Sequence, residues 1–242
     1  MFNNSRIEFI SNIPGLTGIE ECVPKPIQKY IPDWWKKTPT KKTVHSIDNT
    51  SFGNIKICPS FADYFSHGFV IPMWTDTYLY YDDEQDIYRW RTASDEFKWE
   101  YHSNNQYLDD VAHKFMGKDS YFVFKILCPW NVVTQKGYAL YQLPTFYEFH
   151  EDFSVVPGVL DASVDNELNI QLLIHSTKKE IFIPRGTPLA HYIPFKKEKM
   201  EYAIREQNEK DKFRFNVSKL HVKTQFSALD DHRKRVKRIY EE

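Results

Sequence analysis

Residues 121–197 read YFVFKILCPWNVVTQKGYALYQLPTFYEFHEDFSVVPGVLDASVDNELNIQLLIHSTKKEIFIPRGTPLAHYIPFKK. YFVFKIL is a continuous apolar run of β-branched and aromatic residues, the signature of a strand buried on both faces. Gln135-Lys136-Gly137 interrupts CPWNVVT and GYALYQL, so these two runs are expected to form a hairpin about that turn. FSVVPGVLDA, ELNIQLLI, KEIFIP and PLAHYIPF follow as further short runs, separated by polar turns. Gly186-Thr187-Pro188 is a turn in its own right. Four to six short strands in so short a span predict a mainly β fold, a β-clip or jelly-roll-like sandwich with short helices and a C-terminal helical extension.

Working outward toward the N-terminus, TYLYY, IYRWRTA and FKWEYHS lie between residues 76 and 102, with the polar stretches DDEQD and SDE between them. They predict a three-strand meander. Tyr88, Trp90 and Thr92 share one face, as do Phe97, Trp99 and Tyr101, while Arg89 and Arg91 point the other way. Stacking of a nucleobase on such rings is conceivable, but acidic connections repel a phosphate backbone, so the ring face is read as core. FVIPMW is a buried strand whose Pro72 marks an edge or a bulge. CPSFADYFSH spaces Phe61, Tyr64 and Phe65 as one short amphipathic helix. QYLDDVAHKFMG, residues 106–117, has helical spacing as well.

Three parts are expected: an N-terminal arm over residues 1–57, a β-rich body over 58–196 and a basic helical extension over 197–242. The arm is broken by Pro14, Pro24, Pro26, Pro32 and Pro39. IPDWWKKTP places Trp34 and Trp35 on different sides of one short turn. Such rings either staple the arm to the body or anchor a partner. In the extension, residues 197–210 and 227–240 are expected to be helical and to flank FRFNVSKLHVKTQF; Ser227 is the N-cap of the second helix.

The chain has 242 residues, with 32 basic against 33 acidic side chains. A global affinity for nucleic acid is therefore not implied. The charge is unevenly placed. Residues 76–112 carry ten acidic and three basic side chains, net −7, and residues 196–242 carry fourteen basic and nine acidic, net +5. Arg233, Lys234 and Arg235 in the basic tail are candidate contacts for an anionic partner, or part of a solvated helix. The 18 Phe, 15 Tyr and 6 Trp against 8 Gly exclude a disordered or collagen-like chain. Cys22, Cys58 and Cys128 are too few and too scattered for a disulfide scaffold or a zinc ribbon, and they fit a reducing compartment. No apolar run nears the roughly 20 residues of a membrane span. MFNNSRIEFISNIPG lacks a signal-peptide pattern.

Several phrases carry a resemblance. IPDWWKKTP, CPSFADYFSHGFVIPMW, CPWNVVTQKGYALYQLP, VVPGVLDA and IPRGTPLAHYIPFKK stand in an order that resembles an uncharacterised family of marine bacteriophages, cyanophages especially, and some bacteria. Over roughly residues 28–200 this implies a phage-encoded protein acting in the host cytoplasm during infection or in the virion; it implies no activity. Cys128, Ala139 and His191 depart from the family pattern. A more distant resemblance is to the last third of the trimeric dUTPase and dCTP deaminase group. There a G-V-I-D turn leads into a strand, and a Gly-containing hairpin phrase follows. Gly158-Val159-Leu160-Asp161 matches that turn. The resemblance implies that Asp161, with Gly158, Gly186 and Thr187, borders a ligand pocket. LPTFYEFHEDF lacks the group's Arg-Ser-Gly motif, Ala162-Ser163 replaces Asp-Tyr, and a basic helix replaces the Gly-rich arm, so hydrolysis is not expected.

His150 and Asp152 form an H-x-D pair and His191 lies downstream, the elements of a two-His, one-carboxylate iron site on a jelly roll. Chance makes such a pair common in a chain with nine His. No catalytic residue, cofactor or metal is expected. The expected partners are proteins: further copies of the chain, or virion proteins met through its rings and Pro-rich arm. The rival expectation is a dUTPase-like nucleotide-binding or nucleotide-hydrolysing protein.

Overall fold

The computed structural model describes residues 6–39, 41–43, 51–53, 56, 59–102 and 122–224. The expected 106–117 and 227–240 helices, the N-cap Ser227 and Arg233, Lys234 and Arg235 lie outside these residues. The chain divides into two compact units, 1–198 and 199–242.

The first unit is a β-rich sandwich of open antiparallel sheets with short helices. Its strands are β1 (Ile7–Ser11), β2 (Lys25–Pro26), β3 (Lys41–Thr43), β4 (Ser51–Gly53), β5 (Phe69–Pro72), β6 (Thr77–Asp82), β7 (Ile87–Thr92), β8 (Trp99–His102), β9 (Phe122–Thr134), β10 (Tyr138–Pro144), β11 (Phe153–Val155), β12 (Gly158–Leu160), β13 (Glu167–Ile174), β14 (Glu180–Ile183) and β15 (Pro188–Lys196). Short helices α1 (Asp33–Lys37) and α2 (Pro59–Tyr64) lie between them. One sheet runs β1-β9-β13-β11 with β8 also on β9. A second runs β12-β10-β15-β5-β2, a third β14-β6-β7, and β3 pairs with β4.

The alternation seen in the sequence decides which side chains go inside. ELNIQLLI buries Leu168, Ile170, Leu172 and Ile174 and turns the residues between them outward. One hydrophobic cluster draws on all three larger sheets, with Phe124, Ile126 and Leu172 from the first, Ile71, Leu140 and Tyr192 from the second, and Leu79, Tyr88 and Ile181 from the third. The ring face of residues 88–101 is core at Tyr88 and Trp99 and its margin at Trp90, Phe97 and the exposed Tyr101: Trp90, Trp99 and Tyr101 each meet Phe124, and Tyr88 meets Phe122 edge-on at 5.2 Å. Pro72 stands where the β15–β5 register shifts, between Pro188 and Ala190, so its missing N–H falls at an irregularity of the ladder.

The structure differs from the sequence reading at four places, three of them in strand pairing. The meander is only a hairpin: β6 pairs β7, but β8 leaves it for β9, and β14 takes the third place. Gln135-Lys136-Gly137 is a tight turn, with Tyr138 N–H bonded to Gln135 C=O at 3.1 Å. It nevertheless carries the chain from one sheet to another rather than closing a hairpin. FSVVPGVLDA splits at Val156-Pro157 into β11 and β12, which belong to different sheets. In each case the turn residues reverse the chain locally, while burial chooses the edge that the next strand finds.

The fourth correction lies in the second unit. Its helix α3 spans Glu209–Thr224 and includes most of FRFNVSKLHVKTQF, the stretch expected to lie between helices. Asn208 Oδ1 accepts from Asp211 N–H and Asp211 Oδ2 accepts from Asn208 N–H, both at 3.0 Å. This reciprocal cap satisfies two orphan donors and nucleates the helix at residue 209. Arg205 clamps the same carboxylate and, with Asn208, holds the acidity of Asp211 far above normal, its pKa depressed.

Candidate functional site

The arm of Pro/Trp turns meets the body at a cluster of rings. Pro32 leads into α1, and Thr38 N–H and Oγ1 both bond to Trp34 C=O, closing the helix after little more than one turn. Adjacent positions on so short a helix send Trp34 and Trp35 to different sides. Trp35 is 6% exposed. It packs against Phe65 at 4.9 Å, Tyr147 at 5.6 Å and Phe61 at 5.7 Å. It is therefore a staple, with its ring spent on its own body rather than open to a partner. Trp34 is 40% exposed. Its indole N–H donates to Tyr147 C=O at 2.9 Å, and its ring lies 5.5 Å from Phe149.

The turn after β10 completes the surface. Phe146 is 62% and Phe149 57% exposed, their rings 5.9 Å apart. Phe149 sits at φ 51°, ψ 50°, the left-handed region that a bulky residue seldom takes. Such a conformation persists only where its surroundings hold it, and it recurs at functional positions. Glu148, on the same turn, is half-buried and lines a small cleft with Tyr30, Pro32 and Tyr147. Burial raises its carboxyl pKa, Lys36 opposes the shift and Asp33 adds to it. Phe146, Tyr147 and Phe149 were not singled out in the sequence. The available signal was FYEF, three rings in four residues of an otherwise polar connection.

The four pocket candidates fall into separate places. Asp161 follows the edge strand β12. Lys197 Nζ donates to its Oδ2 at 2.5 Å, and Ser163 donates to its Oδ1 through its hydroxyl at 2.6 Å and its N–H at 3.2 Å. These bonds, Lys197 first, bring its pKa down to about 2. Gly158 lies opposite Gln142 on the same edge. Gly186 and Thr187 form the turn before β15: Gly186 N–H bonds to Met73 C=O, and Thr187 Oγ1 to Pro184 C=O, both at 2.7 Å. Lys197 follows one end of β15 and Thr187 precedes the other. At ~3.3 Å per residue the strand between them sets Asp161 and Gly186 roughly 25 Å apart.

The three metal candidates are likewise engaged separately. His150 Nε2–H donates to Pro188 C=O at 2.7 Å. Asp152 accepts from Ser176 and Lys178, and His191 Nε2–H donates to His67 C=O at 2.7 Å. Burial lowers the pKa of both imidazoles. Among the described residues no three His, Cys, Asp or Glu side chains stand together as a metal site, and no helix is long and apolar enough to cross a membrane.

No family model matches the chain, and no curated protein does. Among solved structures it is similar to the dUTPase from phage phi11 of S. aureus, at 14% identity over 47% of this chain and 97% of that one, with a TM-score of 0.28. The dUTPase of Staphylococcus bacteriophage 80alpha follows at 13% identity, 48% and 99% coverage and the same TM-score of 0.28. EIAV dUTPase is matched at 9% identity over 55% of this chain and 98% of that one, again with a TM-score of 0.28.

Proposed function

We propose that this is a phage-encoded, non-enzymatic protein, a virion or assembly component of the host cytoplasm during infection, that associates with further copies of itself through Trp34, Phe146 and Phe149. The phage origin rests on the ordered phrases from IPDWWKKTP to IPRGTPLAHYIPFKK. The observation that carries self-association is the contiguity of three exposed rings, Trp34 on α1 and Phe146 and Phe149 on a strained turn. An aromatic side chain buries 150–250 Å², so at their exposures the three offer roughly 300 Å², the scale of functional patches on monomers. A stable pair needs about 800 Å² per partner, so these rings form the centre of an interface and a polar rim supplies the rest. Charges of both signs lie nearby: Asp33 pairs with Lys36, and Glu148 feels both of them. A two-fold contact lays such a surface against itself and pairs unlike charges.

Light scattering over a range of concentrations tests this. The wild-type mass is expected to rise with concentration, and Phe146→Ser with Phe149→Ser is expected to abolish the rise without lowering the melting temperature. A wild-type chain that stays monomeric at high concentration overturns self-association; absence of the protein from purified particles and assembly intermediates overturns the virion role. A second reading, nucleotide binding beside Asp161, is favoured by an ionised carboxylate and a lysine on an open strand edge. It is the weaker reading because both carboxylate oxygens already have partners. A melting temperature raised by dUTP, dCTP or their monophosphates, and not raised in Asp161→Asn, supports it; no rise removes it.

A further inference from the structure

The small cleft beside Glu148 is walled by Tyr30 and Pro32 from the arm, by Tyr64 and Phe65 at the end of α2, and by Tyr147 and Glu148 after β10. Its rings brace one another. Tyr64 meets Phe65 edge-on at 5.3 Å and Tyr147 edge-on at 5.0 Å, and Phe65 lies 5.2 Å from Tyr147. Aromatic faces carry negative π density, so a ring-lined cleft favours a cation over an anion. The open space at its centre is about 10 Å³, room for one water-sized group.

Two polar side chains of this cleft lack the partners that burial normally demands. Glu148 is half-buried. Lys36 acts on its charge, but the Lys36 ammonium bonds to Asp33 at 3.2 Å, and the Glu148 carboxylate has no hydrogen bond or ion pair among the described residues. The Tyr64 hydroxyl is buried and has no hydrogen-bond partner in good geometry; Phe146 N–H is near enough only to act on its charge. Burial, with the charges of Tyr147 and Glu148 as smaller causes, pushes this phenol up to about 12, so at neutral pH it keeps its proton and an oxygen lone pair is left to accept. A carboxylate removed from water without a partner is costly, and the raised pKa of Glu148 is the mark of that cost. Two acceptors among rings, with no donor between them, call for one small group that carries positive charge and several N–H bonds.

We propose that this cleft takes the ammonium end of a primary alkylamine. One N–H bonds to the Glu148 carboxylate and another to the Tyr64 oxygen, and the methylene stem leaves along the rings of Tyr30 and Tyr147. Charge-assisted bonds of this kind are the strong ones, and the ring faces add cation–π attraction. An –NH₃⁺ group is close to water in size and fits the space; a trimethylammonium head does not. A free aliphatic amine and the lysine side chain of a protein present the same head. The site stands on Glu148 and Tyr64 and needs no second copy of the chain, so it is independent of the surface formed by Trp34, Phe146 and Phe149.

NMR titration of the full chain at constant ionic strength tests the proposal, with sodium chloride exchanged for the chloride of n-butylamine, 1,4-diaminobutane, Nα-acetyl-lysine methylamide or tetramethylammonium. The three primary amines are expected to shift the Glu148 carboxyl and the amides of residues 146–149 saturably and to lower the Glu148 pKa. Tetramethylammonium is expected to leave both where sodium chloride leaves them. Tighter binding of the diamine supports a free amine as the occupant, and tighter binding of the lysine derivative supports a protein side chain. Glu148→Gln is expected to weaken binding roughly tenfold or more and Tyr64→Phe roughly threefold. Neither should lower the melting temperature, because neither side-chain group has a partner to lose. Glu151→Gln, an exposed carboxylate on the same connection, is expected to bind as the wild type does. The proposal is overturned if the primary amines shift nothing beyond sodium chloride, if tetramethylammonium binds as well as butylammonium, or if Glu148→Gln binds as tightly as the wild type.

Discussion

Two glycines with nearly the same backbone angle should respond very differently to alanine. Gly68 and Gly137 both lie at φ +88°. Placing an L-residue there costs about 1–2 kcal/mol, so Gly137→Ala, where a Cβ meets nothing within 4 Å, is expected to lose about that much. At Gly68 a Cβ would run into the carbonyl oxygen of Tyr192 and lie 2.7 Å from His191 Nε2. Both obstacles are fixed. Tyr192 is on a central strand, and His191 is buried and held by His67 C=O at 2.7 Å. Gly68 C=O in turn accepts from Ile27 N–H at 3.2 Å, so moving the glycine disturbs the arm as well. Overpacking of this kind adds about 1–3 kcal/mol, for a total of about 2–5 kcal/mol. Urea denaturation followed by tryptophan fluorescence reads both variants, with the midpoint falling and the slope unchanged. Equal losses at the two positions would refute the reasoning, because they would mean that backbone angle alone decides the cost.

The two tryptophans should separate in the same assay. Trp35→Ala leaves a cavity in a ring cluster and is expected to cost about 3–5 kcal/mol; Trp34→Ala, losing one hydrogen bond on a half-open ring, about 1 kcal/mol. Lys197→Met should bring the Asp161 pKa from about 2 back toward the ordinary ~3.9, read by carboxyl NMR. Because the Asp161 value is depressed, the pair favours the fold above pH ~4 and this contribution disappears as pH falls toward 2. His150 and His191 are held neutral by burial, so protonation opposes folding. Thermal stability should fall as pH drops below the ordinary imidazole value of ~6.5, and His191→Gln should flatten that slope. An unchanged slope would mean that His191 takes up its proton as readily in the fold as in the unfolded chain, and would refute its being held neutral.

How much of this was legible in the residues themselves differs from one element to the next. Alternation in ELNIQLLI and IYRWRTA, prolines bracketing Trp34 and Trp35, and the glycine turn at residue 137 are local signals, and each produced the local structure it implied. Site geometry was much less legible. Trp34 and Trp35 were readable only as a pair that staples the arm or meets a partner, and Phe146 and Phe149 became neighbours of Trp34 only when β10 ended beside α1, over a hundred residues away. Asp161 and Gly186 were expected in one pocket because of the resemblance to the dUTPase and dCTP deaminase group, yet the nine-residue strand β15 lies between them.

Strand identity, ring-rich core faces and reversal points were determined by the sequence alone, because backbone sterics and side-chain period act over a few residues. Partner choice was decided by the tertiary structure. β8 joins β9 rather than β7 because Trp99 and Tyr101 find Phe124 there, and that choice follows from burial rather than from any motif in the chain.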